Sequence, residues 1–329
     1  MPLLSQLLPL LAACTSTADD TAAEQGWAVV GEGLDSALLS IWGTAWNDVW
    51  VVGADSGSGG VLLHFDGAAW ARVGDLGPGD AWAIEGTDTT LWISGAGGRL
   101  FRYDLASGQL STDQLDSALV FFGVWPASPT DAWAVGGSPD DSADPAVIYH
   151  FDGTAWTDIG IASEPTAEAT FFKVSGTAAD DVWVVGDAGN ARHYDGSSWS
   201  TVPTGITANL FGIRGRYAVG GSFNGAILAW NGSAFIEETP LYSYQFTGIS
   251  DDGVHTPTAV GTQGQVFLRG DAGWDPDPAE AVTLQDLHAV WIDPEGGTWA
   301  VGGHLSSPPL IHGVVIYKGA RTIAPLEAL

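Results

Sequence analysis

The 329-residue chain is 45% hydrophobic, with 45 Gly and 16 Trp against one Met, a composition that excludes a disordered polymer and can fill a sizeable core. Ten Lys plus Arg against 39 Asp plus Glu give a formal net charge of −29, which repels polyanions at long range and excludes nucleic acid as an expected partner. The only cysteine, Cys14, rules out an intramolecular disulfide and a cysteine-built zinc cluster.

Residues 1–13 are dominated by Leu3, Leu4, Leu7, Leu8, Leu10 and Leu11, a run too short to span a bilayer but of the length of the apolar segment in an export signal. It leads into Leu11, Ala12, Ala13 and Cys14, which resembles the bacterial lipoprotein signal. That resemblance implies cleavage before Cys14, a lipid on the new N-terminus, and attachment to the cell envelope, at the outer membrane or cell surface. A plain secretory signal with an incidental cysteine is the alternative, and both export the protein. Residues 14–25, including Asp19, Asp20 and Glu24, are small, polar and unpatterned, and read as a flexible tether. Membrane contact is expected through the lipid alone, and residues 26–329 are expected to form a single domain.

Within that domain one anchor recurs seven times: apolar or aromatic residues closing on Gly53, Gly95, Gly136, Gly186, Gly220, Gly261 and Gly302. The spacings, 34 to 50 residues, bracket the roughly 40–45 residues of a four-stranded propeller blade. Upstream of each anchor lies a short segment, as in LLSIWG (38–43), FFGVWP (121–126), FFKVSG (171–176), LFGIRG (210–215) and LHAVWI (287–292). This is strand A and the anchor is strand B. Strand C follows as VLLHFDG, VIYHFDG or ARHYDG, and strand D as AWARVG, AWTDIG or SWSTVP. Each piece is short, rich in β-branched and aromatic residues, and bounded by Gly, Asp, Asn or Pro, and no stretch carries a sustained helical period. The fold predicted is an all-β, seven-bladed β-propeller with four-stranded antiparallel blades.

Several polar and aromatic residues belong to the repeat itself. Trp50, Trp92, Trp133, Trp183 and Trp299 recur on strand B and read as wedges between blades. Asp66, Asp152, Asp195 and the variant Asn231 sit at the C-to-D corner, where the side chain can take backbone N–H groups while the next Gly adopts positive φ. Asp48, Asp131 and Asp181, before strand B, are read the same way. A catalytic group is needed once, not once per blade, so these are structural. Residues 26–33 match a strand D that has no A, B or C of its own, and are predicted to close the last blade. Residues 321–325 compete for that role.

The run from Trp183 to Trp199, WVVGxxGxxxHYDGxxW, resembles bacterial-neuraminidase-type repeats and photosystem II assembly-factor propellers, and Trp42 to Gly53 matches the WGxxxxDVWxVG propeller lipoproteins of deltaproteobacteria. The corner departs from the neuraminidase Asp-box in its Asp-to-Trp spacing. It also places His64, His150 or His193 where that motif has serine. A sialidase also needs an arginine trio, a tyrosine nucleophile and an acid/base carboxylate, and the eight arginines do not fall at equivalent blade positions. The resemblance therefore implies architecture and not activity.

Propeller geometry puts the B-to-C and D-to-A connections on one face, and these carry the irregular insertions (54–60, 138–145, 162–169, 275–286 and 304–309). The candidate binding face comprises Asp140, Asp141 and Asp144, then Asp275, Asp277 and Glu280, with His304 beside the last insertion. No cofactor is expected. Asp140, Asp141 and Asp144 are the alternative as a Ca²⁺ site, without an established calcium-loop spacing. His255, His288, His304 and His312 lie outside the strand C repeat and show no metal-ligand spacing. The function expected is a non-enzymatic, surface-tethered binding or scaffold propeller that presents this acidic loop face to a protein or glycan. A lectin would instead expose equivalent aromatics in several blades. An enzyme, a sialidase-like glycoside hydrolase for example, would show one deep axial pocket with unlike polar residues and shifted pKa values.

Overall fold

The structure, a computed structural model, describes residues 26–138, 146–160, 170–241 and 243–327. Among them, the chain forms seven four-stranded antiparallel sheets arranged as the blades of a β-propeller. The innermost strands, A of blades one to seven, are Leu38–Ala45, Ala81–Gly86, Val120–Ser128, Phe171–Ala178, Leu210–Arg214, Phe246–Ser250 and Asp286–Ile292. In blades one to six the four strands follow one another in sequence, each paired with the next. Blade seven takes A, B and C from residues 286–318 and its outer strand from Ala28–Leu34, which pairs with Ile311–Lys318. The N-terminal strand closes the ring. The other contender lies outside it as a latch: the Leu326 N–H donates to the Val30 carbonyl and the Trp70 indole donates to the Ala324 carbonyl.

The core is divided by interface. Seven hydrophobic clusters lie between successive blades, and each draws on residues of the two sheets it joins. The strand B tryptophans are their wedges: Trp50, Trp92, Trp133, Trp183 and Trp299 are all buried. Blade six has no aromatic at that place. Trp27, just ahead of the closing strand, fills the cluster between blades six and seven and anchors its indole N–H on Asp277.

The anchor glycines have one shared cause. At each of the seven, a Cβ would come within 3 Å of the carbonyl oxygen just ahead of the first core residue of strand A. That carbonyl accepts the N–H of the residue after the glycine, as Ala37 does from Ala54 and Asn209 does from Gly221. The sequence repeat thus records a close backbone approach, which only glycine permits.

Candidate functional site

Strand A begins the same way in every blade. Its first core residue (Leu38, Ala81, Phe121, Phe171, Leu210, Phe246 or Leu287) is buried between blades. The register then shifts by one, a β-bulge present in all seven sheets. A bulge re-aims the extra residue. Here it turns Leu39, Trp82, Phe122, Phe172, Phe211, Thr247 and His288 onto the propeller axis, where all seven line one cavity of about 350 Å³. Four are large aromatics in continuous contact: Trp82 to Phe122 at 5.1 Å, Phe122 to Phe172 at 5.6 Å, and Phe172 to Phe211 at 5.3 Å between ring centroids.

Deeper along the same strands the repeat is broken by charge. Trp42, Trp125 and Trp291 occupy one position in blades one, three and seven, each packed over a glycine of the following blade. At that position blade two has Glu85 and blade five has Arg214, which join across the axis, Arg214 Nη1 donating to Glu85 Oε1 at 3.0 Å. Two positions nearer the mouth, where other blades carry Ser40, Ala83, Gly123, Gly212, Gly248 and Ala289, blade four has Lys173. Its ammonium has no hydrogen bond or ion pair among the described residues. Burial pulls Lys173 below the usual lysine range, with Glu85 opposing and Arg214 reinforcing the shift. His288 donates from Nδ1 to the Leu39 carbonyl. Burial, with Lys173 nearby, pulls its pKa down to about 4, so the ring is neutral near pH 7.

The cavity opens on the loop-rich face, where Gln245, Thr262, Leu305, Ser306 and Leu310 from D-to-A and B-to-C connections join the lining with Asp286 at the start of strand A of blade seven. Asp286 at the mouth accepts the Gln263 N–H at 3.0 Å. The same face carries most of the large apolar side chains left exposed: Phe223 (95%), Leu241 (84%), Leu284 (83%) and Tyr244. Their loops are joined in series along blades five and six. The Gly225 N–H donates to the Ser243 carbonyl, Tyr244 N–H to the Gln265 side chain, and Gln245 Nε2 to the Gly221 carbonyl.

The residues singled out from sequence are dispersed. Cys14, Asp140, Asp141 and Asp144 lie outside the described residues. Asp277 is committed to structure, bound by Lys318 Nζ at 2.8 Å and by the Trp27 indole at 3.0 Å. Asp275 is exposed on the outer strand of blade six and Glu280 is exposed in the following loop. His304 ends strand B of blade seven beside Ser306 and Ser307. Among the described residues no three His, Cys, Asp or Glu side chains gather closely enough to hold a metal ion.

The repeated polar residues form local clasps on the opposite face. His64 Nε2 bonds Asp48 Oδ1 at 2.8 Å, His150 bonds Asp131 at 2.8 Å, and His193 bonds Asp181 at 2.7 Å, each imidazole stacked on the strand B tryptophan. The indole N–H of Trp50 and that of Trp183 close on the same carboxylates. At the corners, Asp66, Asp152, Asp195 and Asn231 each accept two backbone N–H groups. Asp195, which also takes the Ser197 hydroxyl, falls to about 2. The strand D aromatics Trp70, Trp156, Trp199 and Phe235 pack against strand B tryptophans, so neither set presents a repeated sugar platform.

Sequence reading passed over Glu85, Lys173, Arg214 and the axial aromatics. The signal was there: when the seven strand A segments are aligned at their bulge, these are the charges that interrupt positions otherwise small or aromatic.

No protein-family model matches the chain, and no curated protein matches it. Solved structures do. YCF48 from Cyanidioschyzon merolae superimposes with a TM-score of 0.64 at 14% identity, over 89% of this chain and 98% of that one. The extracellular domain of the putative one component system BT4673 from B. thetaiotaomicron gives 0.62 at 13% identity, over 89% of this chain and 40% of that one. The corresponding domain described as a putative hybrid two component system gives 0.63 at 12%, over 88% and 39%. At these identities the likeness establishes the propeller fold, and the chemistry of the axis stands on this chain's own residues.

Proposed function

We propose that this chain is a non-enzymatic binding propeller, exported and held by a lipid on Cys14 at the outer membrane or cell surface, which engages an envelope or extracellular protein through its loop-rich face. The observation that carries this reading is the exposure of Phe223, Leu241, Tyr244 and Leu284 on loops of one face that hydrogen bonds join in series. Single exposed apolar residues are ordinary, but several on adjoining loops make the kind of patch that marks a protein contact. A protein is favoured over a glycan because the repeated tryptophans are spent between blades.

A catalytic reading has in its favour the axial cavity with unlike polar groups and the lowered pKa values of Lys173 and His288 within it. Against it stands the way the other groups are engaged, while Lys173 has no hydrogen-bonded base beside it among the described residues. Glu85 is held by Arg214, Asp286 takes a backbone N–H, and the Thr247 hydroxyl is committed to the Leu287 carbonyl, so no nucleophile–base pair is set up among these described residues. Among the described residues Arg214 is also the one arginine on the cavity wall, where a sialidase needs three.

The test uses the full-length protein in native envelopes. Cys14→Ser should move it from the membrane to the soluble fraction. A Phe223→Ser/Leu241→Ser/Leu284→Ser variant should stay folded and lose the protein captured by the wild type. Capture of the same protein by the triple variant overturns the reading of this face.

A further inference from the structure

We infer that the axial cavity is a receptor site for a small amphipathic carboxylate, a single anionic head on an apolar or aromatic body. This goes beyond the protein-contact reading and does not depend on it, because the cavity and the exposed strip share none of the residues the argument uses.

The charge balance at the cavity floor points to an anion. Glu85 is paired with Arg214, which leaves the Lys173 ammonium as the cavity cation with no ion pair among the described residues, within the field of Glu85 but not bonded to it. A half-buried ammonium on a cavity wall, without a hydrogen-bonded counterion among the described residues, has given up part of its water and gained no partner in return. Keeping it at a position where six other blades carry Gly, Ala or Ser is therefore a local cost, and an incoming carboxylate would relieve it through a charge-assisted hydrogen bond. A cationic ligand would meet Lys173 and Arg214 together. The net charge of −29 does not forbid an anion here, because exposed charges beyond about 8–10 Å are largely screened while the floor cations lie within contact distance of a bound head group.

The wall above the floor sets the rest of the ligand. Trp82, Phe122, Phe172 and Phe211 form a continuous aromatic collar with Leu39, and neutral His288 completes it without adding charge. The Asp286 carboxylate at the mouth disfavours a second anionic group at the outer end. A volume of about 350 Å³ lies at the small end of ligand pockets, so the body is a ring or a short chain, not an oligomer.

The experiment is calorimetry at pH 7.5 on the full-length protein with 3-phenylpropionate, indole-3-acetate and octanoate, each set against its own amide. At least one acid should bind about tenfold or more tightly than its amide, the size expected of one charge-assisted contact. Lys173→Met, close to isosteric, should abolish that preference. In the absence of ligand it should also raise the melting temperature by about 2–4 °C, as removal of an unmatched charge requires. The triple variant of the loop face should bind the acid unchanged, so loss of partner capture and loss of ligand binding are separable. The proposal is overturned if no acid outdoes its amide, if the preference survives in Lys173→Met, or if that variant melts lower than the wild type.

Discussion

The two faces of the disc use the same residue types in opposite ways. On the turn face, aspartate, histidine and tryptophan recur blade after blade, and the repeated carboxylates are engaged inside their own blade, as Asp181 is by His193, Trp183 and Thr177. On the loop-rich face and along the axis, polar residues occur once. They meet partners three blades away, as Arg214 meets Glu85, or none, as with Lys173. The difference teaches a working rule for repeat proteins: what the repeat explains holds the ring together, and what interrupts the repeat is available for a ligand.

The strongest way to test the structural half is to remove the closing strand. Deleting residues 26–34 strips Trp27, Val30 and Leu34 from two inter-blade clusters and leaves Ile311–Lys318 as an unpaired outer edge. Thermal and denaturant melts should show loss of more than about 5 kcal/mol or of the cooperative transition altogether. An unchanged melt would mean that the latch at residues 321–326 can close the ring instead.

Acid should expose the axial half next. His288 titrates near 4 in the folded protein against 6.5 for an ordinary histidine, so below pH 6.5 the unfolded chain takes a proton that the folded chain refuses. Stability should therefore fall as pH drops from about 6.5 to about 4 and then level off for this group, by at most roughly 3 kcal/mol. His288→Gln, which keeps a donor for the Leu39 carbonyl, should flatten that slope. Below pH 4 the corner and clasp carboxylates take over. Asp195, at about 2, and the lowered Asp48, Asp66, Asp152 and Asp181 contribute stability that is lost as pH falls through their folded values. Asp80 and Asp187, raised by burial, work in the opposite sense. A slope that persists between pH 6.5 and 4 in His288→Gln would place the acid sensitivity outside the axis.

How much of this was legible in the sequence follows the same division. Blade number, strand order, the closing strand, the wedge tryptophans and the corner aspartates could be read because each rests on local contacts repeated several times, so chance agreement is averaged out. The axial site could not be found by the same search. Its members are brought together by seven bulges, and the register shift that turns Phe122 or His288 inward leaves no mark in a single segment. Glu85 and Arg214 are 129 residues apart and look like ordinary surface charges until the ring closes. The acidic insertions drew attention because they were irregular. Of their described members, Asp277 is a structural tie for Lys318 and Trp27, a role set by the blade seven interface and invisible in the loop itself.

A smaller effect tests whether the clasps are confined to stability. Asp181→Ala orphans the Trp183 indole and the His193 imidazole, and because the carboxylate is about one-third exposed the cost should be held to about 1–2 kcal/mol in denaturant melts. Affinity for the axial acid should be unchanged. Weakened binding in this variant would show the two faces to be coupled, and the division between them would fail.

The smallest effect is expected at the exposed strip. Phe223 is 95% accessible and touches no core cluster, so Phe223→Ser should alter stability by no more than about 0.5 kcal/mol and leave the cavity lining intact. Its consequence should be visible only in capture of the protein partner, where truncation of an exposed aromatic anchor costs about 1–2 kcal/mol or roughly a tenfold loss of affinity. A variant that loses stability instead would show Phe223 to be packed against the loops in solution. The strip would then belong with the residues that hold the ring and not with those left free to bind.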